Sequence, residues 1–166
     1  MNGVPAAYIG IGSNLDPERH LRFAVGRLRE IFGTVDGSPV YRSAAVGFDG
    51  PDFLNMVVRV PTALSPDAVI GILEGLHVEA NRQRDAGAIT SRTLDLDLLL
   101  HGDTVSDSPR LPHRDVLRYA FVLRPLADLA PTLRHPVNGK TMLALWSERR
   151  AGEGELTAAR LDGSGG

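Results

Sequence analysis

The sequence contains no cysteine, which excludes disulfides, thiolate metal sites and cysteine nucleophiles. Neither sign of charge is in large excess, because 18 lysines and arginines accompany 20 aspartates and glutamates. The formal net charge of −2 argues against a general nucleic-acid-binding protein, which would be basic. No apolar run approaches the roughly 18 residues of a membrane span, and no secretory signal is visible. We therefore expect no nucleic-acid or membrane partner and a cytoplasmic location.

What is present is ordinary for a soluble globular protein: 166 residues, of which 43% are apolar and 23% charged. This length is enough for one domain with its own core. There is no internal repeat and no linker. We expect a single domain over residues 1–150, acting as a monomer, and a flexible glycine-rich tail over residues 151–166.

Apolar periodicity and turn residues predict an alternation of strands and helices. The predicted elements are a strand at 6–13, a helix from Pro17 to Phe32, strands at 34–43 and 53–60, a helix from Pro66 to about Arg84, a strand at 92–100, a hairpin turn at 102–103 leading into 104–106, and short helices at 114–118, 125–130 and 141–149. This order is typical of an α+β, ferredoxin-like sandwich with a mainly antiparallel sheet, here with an added hairpin and short helices after it.

Two aspartates, Asp95 and Asp97, interrupt the apolar strand at 92–100. In a strand their carboxylates share one face, with Cα atoms about 6.6 Å apart. That spacing suits Mg²⁺, which prefers oxygen ligands. An edge strand with a solvated face is the alternative, although aspartate has poor strand propensity and like charges on one face repel each other.

A second candidate site lies in the strand at 53–60, where Phe53 and Asn55 share a face. A flat ring beside an amide that both donates and accepts could hold a planar heterocycle. A half-buried sheet face is the alternative. Gly10 and Gly12 fit neither the P-loop nor the dinucleotide fingerprint, and close backbone packing is as good an interpretation of them as ligand binding. Arg82 and Arg84 could simply stabilise the carboxyl end of their helix.

Several motifs in the correct order resemble the 6-hydroxymethyl-7,8-dihydropterin pyrophosphokinase family. They are Tyr8-Ile9-Gly10-Ile11-Gly12-Ser13-Asn14-Leu15, Tyr41-Arg42-Ser43, Pro51-Asp52-Phe53-Leu54-Asn55, Arg92-Thr93-Leu94-Asp95-Leu96-Asp97, Pro112-His113, and Phe121-Val122-Leu123 followed by Pro125-Leu126. The fourth motif is the most specific. The resemblance implies transfer of pyrophosphate from ATP to the pterin hydroxymethyl group in folate biosynthesis, with release of AMP.

The resemblance also implies roles for individual residues. Asp95 and Asp97 would hold two Mg²⁺ ions against ATP, and Asp97 would also act near the hydroxyl group that reacts. The catalytic set is then Asp97, Arg82 and Arg92, and the ATP contacts are Arg82, Arg84, Arg92, His113 and Arg118. The pterin contacts are Ser43, Val46, Phe53, Asn55, Asp95 and Phe121.

The sequence departs from the family pattern at three places. A basic residue, Trp, Gly and Pro are expected where residues 88–91 read Ala-Ile-Thr-Ser, and their loss removes a phosphate contact and an aromatic lid. A glutamate aligns with His77. A late arginine aligns with Tyr119, and Arg118 beside it is the expected replacement. The alternative function is a pterin- or nucleotide-binding paralogue with little or no turnover.

Overall fold

The computed structural model describes residues 4–45, 49–82, 94–149 and 157–159. For Arg82, Thr157 and Ala158 it describes only the backbone. The predicted site residues Val46, Arg84 and Arg92 lie outside the described residues, as do the segment 88–91 and the side chain of Arg82.

Strands and helices alternate along the first two thirds of the chain, and short helices follow. In chain order the elements are β1 (Ala6–Ser13), α1 (Pro17–Phe32), β2 (Asp36–Gly37), β3 (Val40–Ser43), β4 (Phe53–Pro61), α2 (Pro66–Arg82), β5 (Asp95–His101), β6 (Ser106–Asp107), β7 (Arg110–Leu111), α3 (Asp115–Arg118), α4 (Ala120–Leu129), α5 (Met142–Arg149) and β8 (Thr157–Ala159). None of the described helices is both long and apolar enough to cross a membrane.

The main sheet has the strand order β5-β1-β4-β3-β8, and β2 pairs with β4 beside β3. All of these pairings are antiparallel. Between β1 and β5 the register shifts at Tyr8 and Ile9, so that Leu99 is an extra residue between the pairs Ile9–Leu98 and Tyr8–Leu100. The predicted ferredoxin-like, mainly antiparallel arrangement is confirmed.

Alternation along the strands gives the sheet two apolar faces. One face carries Leu54, Met56 and Val58 of β4 and packs against α1 and α2. The other face carries Val57 and, because of the extra residue in β5, both Leu99 and Leu100. It packs against α4 and α5. The fold therefore has three layers, with helices on both sides of the sheet.

Two predicted elements differ in their partners or bounds. The turn at Gly102 forms, but β6 pairs with β7 and not with β5. The helix expected at 125–130 begins earlier, at Ala120, and contains Pro125. Pro125 removes one helical hydrogen bond, and its ring is buried. We infer that this burial offsets the lost bond.

The predicted tail contributes a strand. Residues 157–159 form β8, which pairs with β3 from Arg42–Thr157 to Val40–Ala159. Whether residues 1–150 form the functional domain by themselves stays a prediction.

A polar cluster fixes α4 against β3. The hydroxyl of Tyr41 donates a hydrogen bond to Oδ2 of Asp128. The guanidinium of Arg124 lies 5.1 Å from the centre of the Tyr41 ring and 5.2 Å from that of Trp146. Burial and the hydrogen bond to Asp128 raise the pKa of Tyr41, so this phenol remains a donor at neutral pH. These contacts hold the middle and the carboxyl-terminal end of α4 against β3.

Candidate functional site

A cavity of about 230 Å³ opens between the sheet and the start of α4. We call it the aromatic cavity, because rings from β4 and from the start of α4 lie in its wall. Residues from four strands and from both α3 and α4 meet there. Its wall includes Gly12, Ser43, Phe53, Asn55, Asp97 and Phe121.

Glycines of β1 form part of the floor of the aromatic cavity. Gly10 pairs with Asp97, and Gly12 pairs with both Asp95 and Asn55. A Cβ atom at Gly12 would lie 3.1 Å from Oδ1 of Asn55, which is closer than an ordinary contact. Gly12 therefore allows the amide to lie close to the strand, which supports the interpretation of close packing at this position. A ligand role for Gly10 and Gly12 stays a prediction.

The amide of Asn55 is buried and has a fixed orientation. Its Nδ2 donates a hydrogen bond to Oγ of Ser43, 2.8 Å away on the neighbouring strand. In this hydrogen bond the amide nitrogen is the donor and the hydroxyl oxygen is the acceptor. Asn55 consequently offers a defined pattern of donor and acceptor beside the ring of Phe53, which lies in the same wall.

A second cavity, of about 240 Å³, lies between α2, β5 and β7. Its wall includes Ile70, Leu73 and Glu74 of α2, together with Arg110, Leu111 and His113. Asp97 lines this cavity as well as the aromatic one. Asp97 therefore stands at the junction of the two cavities.

Asp97, His113 and Asp115 form a cluster at this junction, with potential ligand atoms all within 4.8 Å of one another. The backbone N–H of His113 donates to the carbonyl of Leu99, 2.8 Å away, and this bond brings the segment after β7 onto β5. Sequence reasoning missed Asp115. The one sequence feature that could have indicated Asp115 is its position two residues after His113, at the start of a predicted one-turn helix.

The imidazole of His113 has a defined tautomer. Its Nδ1 accepts a hydrogen bond from the backbone N–H of Asp115 at 3.1 Å, which places the proton of the neutral ring on Nε2. His113 lines the second cavity, and an Nε2–H donor on this ring would suit a phosphate oxygen. Asp97 and Asp115 remain as the oxygen donors of the cluster.

The charge of Asp97 is costly in the absence of a cation. Burial, and then the negative charge of Asp95, raise the pKa of the Asp97 carboxyl above its ordinary value. His113 lowers this pKa and Asp115 raises it further. A divalent cation would offset both the burial and the repulsion, and carboxylate oxygens are the donors that Mg²⁺ prefers. The residues present fit a Mg²⁺ ion.

The structure brings most of the described candidate residues into the two cavities. Arg118 is exposed, and its guanidinium lies 5.6 Å from the centre of the Tyr119 ring. Ser43, Phe53, Asn55, Asp95, Asp97 and Phe121 line the aromatic cavity, and His113 and Asp97 line the second cavity.

His77 supports the strand that carries the two aspartates. Its Nε2 accepts a hydrogen bond of 2.9 Å from the backbone N–H of Leu96, which lies between Asp95 and Asp97. Within the described sheet, β5 is an edge strand, so this N–H faces α2 rather than another strand. The side chain that aligns with the family's glutamate thus acts as a hydrogen-bond acceptor for β5.

We expect His77→Leu to lower the free energy of unfolding by about 1–3 kcal/mol, because the N–H of the buried Leu96 loses its acceptor. His77→Gln keeps an acceptor and should lose less than half as much. Urea unfolding of the three proteins measures this difference. Equal losses in the two variants would contradict the role of the hydrogen bond.

Comparison with known proteins identifies the family of this chain. Residues 8–131 match the profile of the family described as 7,8-dihydro-6-hydroxymethylpterin-pyrophosphokinase (HPPK). The chain belongs to this family. The matched region runs from β1 through α4 and so includes the residues of both cavities.

Two curated relatives are named 2-amino-4-hydroxy-6-hydroxymethyldihydropteridine pyrophosphokinase. The protein from Pseudomonas aeruginosa is 40% identical over 139 residues, covering 80% of this chain and 85% of the relative. The protein from Bacillus subtilis is 35% identical over 135 residues, covering 78% of this chain and 79% of the relative. These relatives place the chain among ATP-dependent diphosphotransferases.

Solved structures share the fold. Wild-type Plasmodium falciparum HPPK-DHPS matches with a TM-score of 0.67 and 12% sequence identity. The match covers 89% of this chain and 45% of that one. The chain therefore spans less than half of this solved protein, and the likeness concerns the fold alone.

Proposed function

We propose that this HPPK-family chain transfers the pyrophosphoryl group of ATP to the hydroxymethyl oxygen of 6-hydroxymethyl-7,8-dihydropterin and releases AMP. The observation that carries the proposal is the position of Asp97 in the walls of both cavities. A transfer between two substrates needs two binding volumes that meet at the reacting atoms, with groups there that manage the phosphate charge.

The pterin occupies the aromatic cavity in this proposal. Its ring lies between Phe53 and Phe121, and its polar edge meets the amide of Asn55. The hydrogen bond from Asn55 to Ser43 supports this orientation, because it leaves the amide oxygen and one N–H for the ligand. The hydroxymethyl group then points towards Asp97. Backbone groups near Ser43 and Val46, together with Asp95, complete the proposed contacts.

ATP occupies the second cavity in this proposal, with its phosphates directed towards Asp97. The Nε2–H of His113 donates to a phosphate oxygen, which its tautomer supports. Arg82, Arg84 and Arg92 supply further contacts as implied by the family motifs, since a guanidinium matches phosphate oxygens in pairs. Arg118 is the remaining proposed ATP contact, and its guanidinium lies over the ring of Tyr119 in the structure.

In the transfer step the hydroxymethyl oxygen attacks the β-phosphorus of ATP. The bond between that phosphorus and the α,β-bridging oxygen breaks, and AMP departs with this oxygen. Asp97 is the proposed acceptor of the hydroxyl proton, because it lies in the wall of the cavity that we assign to the pterin. Arg82 and Arg92 stabilise the charge that develops on the phosphates.

Asp95, Asp97 and Asp115 are the residues that would hold Mg²⁺. The ion would neutralise phosphate charge and hold the triphosphate in line with the hydroxyl. We propose that these carboxylates would hold two such ions. The support is the concentration of carboxylates at a buried position, since burial, and then the charges of Asp95 and Asp115, raise the pKa of Asp97.

We further propose that the chain acts as a monomer with one pyrophosphokinase domain over residues 1–150. The support is that α1, α2, α4 and α5 cover both faces of a single sheet. Sedimentation equilibrium at catalytic concentrations tests the first part of this proposal.

Release of AMP from ATP and Mg²⁺ is the experiment that tests the function. We expect it to depend on 6-hydroxymethyl-7,8-dihydropterin. 6-Methyl-7,8-dihydropterin is the matched control, because it keeps the ring and lacks the acceptor oxygen; it should bind and give no AMP. Pterin binding without AMP from the true substrate would instead support a binding paralogue.

Gly12→Ala should weaken pterin binding by about 10-fold, because its Cβ lies 3.1 Å from Oδ1 of Asn55 and displaces the amide. Gly71→Ala is the control, since a Cβ there meets nothing within 4 Å. It should leave binding unchanged and stabilise α2 by about 0.5–1 kcal/mol. Calorimetric titration with pterin measures the difference, and equal affinities would contradict it.

A further inference from the structure

Tyr119 is an aromatic residue of the site that the family motifs do not account for. It lies in the wall of the aromatic cavity, together with Phe121. The two rings are stacked, with their centres 4.8 Å apart and their planes 15° from parallel. Tyr119 stands where the resemblance leads one to expect an arginine.

The backbone explains how residues two apart can stack. Side chains at i and i+2 of a helix do not face each other. Tyr119, however, has the extended conformation φ −123°, ψ 131° between α3 and α4, whereas Phe121 is the second residue of α4. The break between the two helices therefore turns the Tyr119 ring onto the ring of Phe121.

Contacts on both sides hold this break in place. The guanidinium of Arg118 lies over the Tyr119 ring. Arg149, the last residue of α5, donates to the carbonyl of Leu117 at 2.5 Å and to that of Arg118 at 2.6 Å. On the other side, the N–H of Leu123 donates to the carbonyl of Tyr119 at 3.0 Å. The stacked pair is thus tied to α5 and to α4.

We propose that Tyr119 is a positioning residue for pterin binding: it covers one face of Phe121 and fixes that ring as a wall for the heterocycle. The inference rests on the proposed function, since it assigns the pterin to the aromatic cavity. The stacked neighbour already restricts rotation of the Phe121 ring in the free protein. Pterin binding therefore costs less conformational entropy. The chain has an aromatic support for the pterin where the family pattern has a cation.

Equilibrium binding without turnover tests this proposal. We expect Tyr119→Leu to raise the Kd for 6-hydroxymethylpterin by about 2- to 10-fold, the range of one aromatic contact. The Kd for ATP with Mg²⁺ should stay within about twofold, since Tyr119 acts on the pterin wall. Tyr119→Phe keeps the stacked ring and should bind pterin as the unchanged protein does. Leu117→Ala, an exposed change in α3, is the control for local damage.

Three outcomes would overturn the inference: an unchanged pterin Kd in Tyr119→Leu, an equal weakening of pterin and ATP, or failure of Tyr119→Phe to retain affinity. Failure of the proposed function looks different, because the unchanged protein would then bind no pterin. If the unchanged protein binds pterin and Tyr119→Leu binds it equally well, only the role of Tyr119 is wrong.

Discussion

Asp97→Asn is expected to lower the rate of pyrophosphoryl transfer by at least about 1000-fold and, in the same protein without ligands, to raise the temperature of unfolding. The loss of rate follows because the amide can neither accept the hydroxyl proton nor supply an anionic oxygen to a cation. The gain in stability follows because burial and the charge of Asp95 make the native carboxylate unfavourable.

The pH dependence of this gain has a defined sign. The native pKa of Asp97 is raised, so the unfolded chain loses this proton at lower pH than the folded chain. Stability therefore falls as the pH rises from the unfolded value of 3.8 through the native pKa. The asparagine in the variant does not ionise, and the two proteins should differ most above that range and converge below it.

Thermal unfolding at several pH values, in EDTA, measures the effect. Asp103→Asn, in an exposed turn, is the matched control and should not shift the unfolding temperature. With ATP and Mg²⁺ the order should reverse, because ligands stabilise only the protein that binds them. A lower unfolding temperature for Asp97→Asn in EDTA would contradict the explanation.

Asn55→Leu is expected to weaken pterin binding by about 100-fold and to leave ATP binding within about twofold, because a buried recognition amide is lost. Leucine has a similar size, so the strand keeps its packing while the polar edge of the ligand meets no partner. Ser43→Ala should show an intermediate loss, since it removes only the partner that orients the amide.

Calorimetric titration with each substrate separates these effects. Similar losses for pterin and ATP would indicate general damage to the sheet. An unchanged pterin affinity in Asn55→Leu would show that Asn55 does not recognise the pterin. The ring would then have to bind at another position.

Local sequence patterns predicted the two faces of the sheet well, because the face on which a strand residue lies depends on its position along that strand. Alternation in β4 separates Leu54 and Met56 from Asn55 and Val57, and the structure has them on opposite faces. The period of two also predicts that Asp95 and Asp97 share a face, and both line the aromatic cavity.

Features that depend on tertiary contacts were not predictable in this way. Asp115 joins Asp97 because a backbone hydrogen bond places His113 on Leu99, and no spacing rule contains that bond. The early start of α4 depends on buried packing that tolerates Pro125. The stacking of Tyr119 depends on a break between two helices, which propensities locate poorly.

The pairing of β8 with β3 means that removal of the residues after α5 exposes a strand edge. A chain ending at Arg149 would keep α5 but would leave the N–H and C=O groups along one side of residues 40–42 without their strand partner. An open strand edge pairs readily with another copy of itself. Shortened forms should therefore self-associate at high concentration, and an aggregate could bury the strand that carries Ser43.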